Sequence, residues 1–307
     1  MTLMKSLFLF QLCIMLVQKQ LSLSSHTIGR IIMKVVGIGD NVIDIYCDQK
    51  VMYVGGNALN FCVFSEEVGS SSSFVGNFGN DELSKFAIST LKKLNIDISH
   101  SKRLEGENGY SKVNLNNGDR EFIYSNRGGV LKNKILLEQD DLDFINRNDL
   151  VHFNINGNSD DYLKYINGPK IVYDFSDLFD ESIIKKNAPY IDLACFSCPK
   201  YSEKEMFDLI DKVKKIGIER VLCTSGAKGA WINDGNRVIH VPAHIVSPID
   251  TMGAGDSFIA YVSNNIFDKD KSKTIKDILT EASYYSSKQV MRNGSFGYGR
   301  RFFEGDI

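Results

Sequence analysis

Residues 250–258 carry the most specific chemical signal in the sequence. They read Asp-Thr-Met-Gly-Ala-Gly-Asp-Ser-Phe and lead into an apolar stretch with a helical pattern. Glycines let a backbone approach an anion closely, and the unpaired N–H groups at a helix start favour negative charge. Asp256 then lies where a carboxylate can take the proton of an attacking hydroxyl. The alternative is a glycine turn followed by an aspartate that the helix dipole stabilises.

Residues 39–44 and 55–60 form a second pair of polar segments. They read Gly-Asp-Asn-Val-Ile-Asp and Gly-Gly-Asn-Ala-Leu-Asn. Asp44 and Asn60 are short polar groups at a predicted strand end and a predicted helix start, where they could hold vicinal hydroxyls. A dinucleotide fingerprint is excluded because Val42 occupies its third glycine position, and no GxxxxGK[ST] phosphate loop occurs.

These segments together resemble the two signatures of the ribokinase-like (PfkB) carbohydrate kinases, in the family's order, within residues 33–296. The resemblance implies transfer of a phosphoryl group from ATP to a sugar hydroxyl, with Asp256 as the base. It also implies an anion hole formed by Gly253, Ala254 and Gly255. The implied acceptor contacts are Asp44, Gly55, Gly56 and Asn60.

The nucleotide side of the predicted site rests on residues 224–229, which match the family's strand-end segment near ATP or, alternatively, form a plain turn. The implied ATP contacts are Ser225, Gly226, Gly229 and Thr251. The family's mid-chain Asn-x-x-Glu element is incomplete, because residues 197–203 lack the Asn. Glu203 is expected either to hold Mg²⁺ through water or to be a charge at a helix start. A monovalent cation is a further candidate cofactor.

The elements that must position these residues alternate along the chain from Lys34 onward. Short β-branched runs are followed by helical stretches, which is typical of parallel strands joined by crossover helices. We predict a ribokinase-like doubly wound α/β sandwich with its site at the carboxyl ends of the strands. The predicted strands of the main sheet include residues 35–38, 73–75, 150–153, 171–175, 191–196 and 220–224.

One region breaks this alternation and predicts a small β-sheet lid. Residues 111–115 and 121–125 alternate polar and apolar side chains around Asn-Asn-Gly-Asp, a strong hairpin signal. We expect the lid to comprise about residues 46–55 and 109–126; an ordinary surface hairpin is the alternative. Val113, Ile123 and Tyr124 are expected to be exposed and to need cover, so a homodimer through paired lids is predicted.

Length and composition are those of a globular chain. Of 307 residues, 43% are hydrophobic and 24% are charged, and the net charge is −2. This near balance gives no electrostatic argument for nucleic acid or an anionic membrane as a partner, and we expect no stable membrane association. The family resemblance implies a small-molecule sugar or fructosamine as the partner. Cys195 and Cys198 form a CxxC without a second pair, which favours reduced structural thiols over metal or redox chemistry.

Residues 1–32 form a predicted N-terminal extension before a kinase domain at residues 33–307. The extension has the basic and apolar parts of a signal peptide but lacks a cleavage site of A-x-A type. We therefore favour the interpretation that the natural chain starts at Met33 and that residues 1–32 are an upstream extension. A targeting segment is the alternative. ATP-dependent chemistry leads us to expect a cytoplasmic location.

The resemblance narrows further to the branch of the family that acts on fructoselysine. The segments that carry it are residues 39–46, 55–60, 97–100 and 173–177. It implies phosphorylation at O6 of an acceptor whose other end bears an amine and a carboxylate. Asp40 and Arg127 are the candidate groups at the pocket rim, or else they are structural. The alternatives are a free hexose or pentose, a nucleoside, and a sugar-binding protein without catalysis.

Overall fold

The structure, a computed structural model, describes residues 32–116, 118–126, 128–270 and 272–307. The extension predicted before Met33 therefore lies outside the described residues except for Ile32, and Arg127 lies outside them as well. The strands are β1 (Lys34–Ile38), β2 (Val42–Tyr46), β3 (Val51–Gly55), β4 (Ser71–Val75), β5 (Asn77–Phe78), β6 (Lys102–Arg103), β7 (Tyr110–Asn116), β8 (Asp119–Ser125), β9 (Leu150–Asn154), β10 (Lys170–Asp174), β11 (Leu193–Ser197), β12 (Arg220–Thr224), β13 (Ala230–Asp234), β14 (Val238–Val241) and β15 (Gly299–Arg301). The helices are α1 (Asn57–Glu67), α2 (Glu82–Lys93), α3 (Gln139–Asn146), α4 (Glu181–Asn187), α5 (Glu203–Ile216), α6 (Ala254–Ile266) and α7 (Ile275–Gln289).

An eight-stranded sheet forms the body of the fold, in the order β14-β13-β12-β11-β10-β9-β1-β4. The strands from β4 to β12 in that order pair in parallel, and β13 and β14 extend the sheet as antiparallel edge strands. Strands buried on both faces, such as β9 and β10, explain the continuous apolar runs in the sequence.

Helices cover both faces of this sheet. Helices α1, α2, α6 and α7 pack their apolar side chains into one hydrophobic cluster, and α3, α4 and α5 contribute to a second. Neighbouring residues of a strand face opposite clusters, as Val35 and Val36 do in β1. The prediction of a doubly wound α/β sandwich is confirmed.

A five-stranded sheet, which we call the small sheet, has the order β15-β3-β2-β7-β8. It contains the predicted hairpin, with Asn116 opposite Asp119, and a bulge between Lys112 and Val113. Two of its members were not expected from the sequence. Strand β2 precedes the predicted extended segment. Strand β15 lies near the C-terminal end of the described chain and pairs with β3.

The two strands of the hairpin differ in how they are covered, since β7 is largely buried and β8 is exposed along its length. Val113 is fully buried beside Tyr46, Tyr53 and Met252, which contradicts its expected exposure. The sequence pattern predicts alternation but cannot say which face meets the main body. Along the edge strand β8, by contrast, the apolar side chains remain more than half exposed; they are Phe122 (58%), Ile123 (55%) and Tyr124 (52%).

The tip of the hairpin lies on the loop that leads into α6. The N–H of Thr251 donates to the carbonyl of Gly118 at 3.1 Å, and its hydroxyl donates to Asp119 at 3.2 Å. Gly118 has φ +81°, and a Cβ there would stand 2.6 Å from the carbonyl oxygen of Pro248. A glycine is therefore required for this close approach.

Several sequence expectations concern metals, thiols and membranes. Cys195 and Cys198 are buried free thiols. Within the described ranges, no cluster of histidine, cysteine, aspartate and glutamate has the arrangement of a metal site. A search of the same residues finds no helix with the length and apolar character needed to span a bilayer.

Candidate active site

The start of α6 is shaped by glycine. Gly253 precedes the helix with φ +75°, and a Cβ there would collide with the side chain of Ser295. A Cβ on Gly255, by contrast, would meet nothing within 4 Å, so this side of the helix start is open. The N–H of Ala254 donates to the carbonyl of Thr251 at 3.2 Å. The N–H groups of Gly255 and Asp256 have no such partner within the described chain and can receive an anion.

Asp256 lies in the first turn of α6 and is held by two asparagines of α1. Nδ2 of Asn60 donates to its Oδ2 at 2.6 Å, and Nδ2 of Asn57 donates to its Oδ1 at 3.1 Å. The pKa of Asp256 is raised to about 7, mainly by burial; the Asn60 bond acts to lower it, and the negative charges of Asp174 and Asp40 act with burial to raise it. A carboxylate with this pKa is suited to accept a proton near neutral pH.

The sequence predicts Asp40 at the rim of the acceptor pocket. In the structure Asp40 is buried instead. Its carboxylate accepts the backbone N–H groups of Asn57 at 2.9 Å and Ala58 at 3.2 Å, and the side-chain amide of Asn154 at 2.9 Å. It therefore anchors the start of α1 to the segment after β1, across 17 residues of sequence. Such long-range capping leaves no short sequence signature.

Asp44 lies on β2, where the glycine pair before α1 makes room for it. A Cβ on Gly55 would stand 2.5 Å from Oδ2 of Asp44, and a Cβ on Gly56, which has φ +110°, would stand 2.7 Å from the carbonyl of Asp40. Asp44 is only 6% exposed, and no donor from the described residues reaches its carboxylate. Burial raises its pKa to about 7, although the Arg120 guanidinium acts to lower it. Its position suits a group that awaits a hydroxyl donor.

Asp250, the first residue of the predicted phosphate segment, is fully buried. It accepts the hydroxyl of Tyr46 at 2.6 Å, the N–H of Gly294 at 2.7 Å and the N–H of Met252 at 2.9 Å. The carboxylate thus joins the small sheet, the loop before α6 and the segment after α7. This arrangement fixes the loop from which the candidate base extends.

Three of the predicted nucleotide residues, Ser225, Gly226 and Gly229, lie at the carboxyl end of β12, and Thr251 lies in the loop before α6. Ser225 is buried, and its hydroxyl donates to the carbonyl of Cys198 at 2.9 Å. Gly226 is open at its Cβ position, whereas Gly229, with φ +96°, packs against the backbone of Val241. Glu203 is an exposed residue at the start of α5. Among the described residues, no hydrogen bond links these loops to Asp256.

Five site residues were not identified from the sequence: Asn57, Arg120, Asn154, Asp174 and Asp250. Asn57 and Asp174 stood within segments that carried the family resemblance, and Asp174 ends a parallel strand, where functional groups of such sheets gather. Arg120 is exposed near the hairpin tip and donates to the carbonyl of Thr251 at 3.2 Å. No local sequence pattern predicts that the hairpin tip contacts that loop.

Replacing Asp44 by asparagine is expected to stabilise the folded chain above neutral pH. The pKa of Asp44 is raised from 3.8 to about 7, so the unfolded chain loses this proton first and stability falls as the pH rises between these values. A shift of this size corresponds to about 4 kcal/mol, part of which the buried amide offsets. We expect a gain of about 2 kcal/mol at about pH 8 and none near pH 3, measured by urea unfolding.

Asp48→Asn is the matched control, because Asp48 is exposed in the turn after the same strand. This variant should leave the free energy of unfolding within about 0.5 kcal/mol of the wild type at both pH values. An Asp44→Asn protein that is less stable than the wild type at about pH 8 would contradict the assignment of a strained, desolvated carboxylate.

Comparison with known proteins adds to this geometry. The model of the pfkB family carbohydrate kinases matches residues 23–165 and 182–296. Fructosamine kinase FrlD of Bacillus subtilis (strain 168) is 35% identical over 270 residues, which cover 87% of this chain and 94% of the relative. Fructoselysine 6-kinase of Escherichia coli (strain K12) is 31% identical over 225 residues, or 73% and 85% of the two chains. The structure of Arabidopsis thaliana ribokinase complexed with ribose and ATP superposes with a TM-score of 0.70 at 18% identity, over 86% of this chain and 94% of that one. The chain therefore belongs to the PfkB family of carbohydrate kinases.

Proposed function

We propose that this carbohydrate kinase transfers the γ-phosphoryl group of ATP to O6 of a fructosamine, with fructoselysine as the model acceptor and Asp256 as the base. The observation that carries the proposal is the position of Asp256, which extends from an open helix start and has a pKa near neutrality. The names of the two similar bacterial kinases support the choice of acceptor.

The residues of this chain fit the phosphates of ATP. The free N–H groups at the start of α6 and the open side of Gly255 suit a phosphate oxygen. Ser225, Gly226, Gly229 and Thr251 would border the nucleotide. Magnesium supplies charge neutralisation between phosphate oxygens when it is bound. Glu203 is the candidate for contact with the ion, through water.

In the proposed reaction, Asp256 accepts the proton of the O6 hydroxyl as the O6–phosphorus bond forms and the bond from the γ-phosphorus to the bridging oxygen breaks. ADP leaves with the electron pair of that bond. The α6 amides stabilise charge on the transferred group. Asp44 and Asn60 orient the sugar, so that the chemistry rests on positioning and electrostatics.

We propose Arg120, in place of the buried Asp40, as a charged group that faces the acceptor. Its guanidinium acts on both Asp44 and Asp256, lowering the pKa of each against the larger effect of burial. Within the described residues it forms no ion pair with a carboxylate, so its charge is available to an anionic group. Arg127, a candidate from the sequence alone, remains a second candidate for a charged group at the rim of the acceptor pocket.

Asp256→Asn is predicted to fold normally and bind ATP while its turnover falls at least about a hundredfold, because the positioned base is lost. Steady-state kinetics at saturating ATP and acceptor measure the effect, and thermal unfolding checks the fold. Asp270→Asn serves as the control, since Asp270 is exposed in the loop after α6. Retention of more than about a tenth of the wild-type rate by Asp256→Asn would refute the assignment.

The acceptor is tested by comparing kcat/KM for fructoselysine, fructose and ribose with the same Mg-ATP. We expect fructoselysine to be preferred, because its extension adds contacts that a free sugar lacks. A free sugar preferred by more than about tenfold, or about 1.4 kcal/mol of transition-state discrimination, would exclude the fructosamine and leave the kinase assignment standing.

We also propose that two chains pair through β8, whose apolar side chains are exposed along an edge strand. Ile123→Lys is then expected to shift the protein from dimer to monomer in light scattering. Ile245→Lys, at an exposed isoleucine far along the chain, should leave the dimer intact. A wild-type protein that is monomeric at every concentration would exclude this pairing.

A further inference from the structure

The side chain of Asn57 spans two carboxylates. Its Nδ2 donates to Oδ2 of Asp174 at 2.6 Å and to Oδ1 of Asp256 at 3.1 Å. Asp174 ends the central strand β10, while Asp256 begins α6, so one amide group joins the sheet to the helix that carries the candidate base.

The orientation of this amide is dictated by its neighbours. If Oδ1 of Asn57 faced the two ionised carboxylates, three acceptor oxygens would meet, whereas the NH₂ group in its place donates to both. In that orientation both amide hydrogens are used, and Oδ1 is left buried without a partner. The backbone N–H of Asn57 is bound to Asp40 at 2.9 Å, which fixes the residue at its other end.

Asp174 is itself rigidly placed. It is 4% exposed, and its Oδ1 accepts the N–H of Ser176 at 2.8 Å. Ser176 adopts φ +53°, a left-handed conformation that an L-residue rarely takes and that directs its N–H back to the carboxylate. The chain thus accepts local backbone strain to hold a buried carboxyl group beside Asn57. Burial raises the pKa of Asp174, and the hydrogen bonds from Asn57 and Ser176 lower it and so favour the charged form.

We propose that Asp174 is a positioning residue for phosphoryl transfer: through the bridging amide of Asn57 it holds the carboxylate of Asp256 in place and exposes it to the field of a second negative charge. This inference rests on the proposed role of Asp256 as base. Asp174 does not donate or accept the transferred proton, and it acts on the reaction through Asn57.

The electrostatic effect of Asp174 has to be judged among all groups that face Asp256. These are the amides of Asn57 and Asn60 on α1, the carboxylates of Asp40 and Asp174, and the guanidinium of Arg120 from the small sheet. Apart from burial, the negative charge of Asp174 acts to raise the pKa of Asp256, as does that of Asp40, and Asn60 and Arg120 oppose them. Removing the charge of Asp174 should therefore make Asp256 a stronger acid.

The test is the pH dependence of kcat/KM for the acceptor in Asp174→Asn. This variant preserves an oxygen that can accept from Asn57 but removes the charge. We expect the acid limb of the profile to move to lower pH by roughly one unit, with the value on the plateau reduced by less than about threefold. Asp208→Asn, the same change at an exposed position on α5, should leave the limb in place.

Asn57→Ala is a second variant, for which the proposal predicts a shift of the acid limb in the opposite direction. Without the amide donor, the ionised form of Asp256 is less stabilised, so the acid limb should move to higher pH while kcat falls by about tenfold or more. This variant also tests the proposal if Asp174→Asn does not fold. A purely structural role would lower kcat at every pH in both variants without moving either limb.

An unmoved acid limb in Asp174→Asn, together with a raised KM for the acceptor, would overturn the proposal and make Asp174 an acceptor contact. A failure of the proposed function looks different. In that case Asp256→Asn would keep its activity and the wild-type acid limb, whatever the Asp174 variants do.

Discussion

The buried carboxylate of Asp250 is the fixed point on which the site depends. A buried charge without partners is costly, so the donors that satisfy Asp250 must come together whenever the chain is folded. They come from β2, from the loop before α6 and from the segment after α7. Their convergence sets the path of the backbone into α6, and hence the position of the open helix start and of Asp256.

Around this point the chain collects carboxylates and balances them mainly with neutral amides. The side chain of Asn57 bridges Asp174 and Asp256. Asn60 donates to Asp256, and Asn154 donates to Asp40. An amide satisfies the lone pairs of a carboxylate without the strong pKa depression that a bound cation causes. The arrangement keeps the carboxylate of Asp256 basic, at the expense of stability, a trade-off common at catalytic sites.

Local features of this site could be predicted from the sequence, whereas contacts between distant segments could not. The glycines around Ala254 and the aspartate that follows them are local signals of a single helix start, and these residues lie at the start of α6 in the structure. Asp40 was expected at a rim because nothing nearby in the sequence shows that it caps α1. The pairing of Asn57 with Asp174 spans 117 residues and depends on the order of strands in the sheet. Val113 was expected on the wrong face because alternation alone does not fix orientation.

The exposure of Arg120 and the burial of its neighbours give the site an unequal sensitivity to ionic strength. Dissolved ions screen charges in water over about 8 to 10 Å but act weakly on groups within the protein. Asp40 and Asp174 are buried, so the field that they impose on Asp256 should change little between dilute and concentrated salt. Arg120 at the hairpin tip faces solvent and is open to screening. Arg120 lowers the pKa of Asp256, whereas the buried carboxylates of Asp174 and Asp40 raise it. Because salt screens mainly the exposed Arg120, added salt should increase the basicity of Asp256.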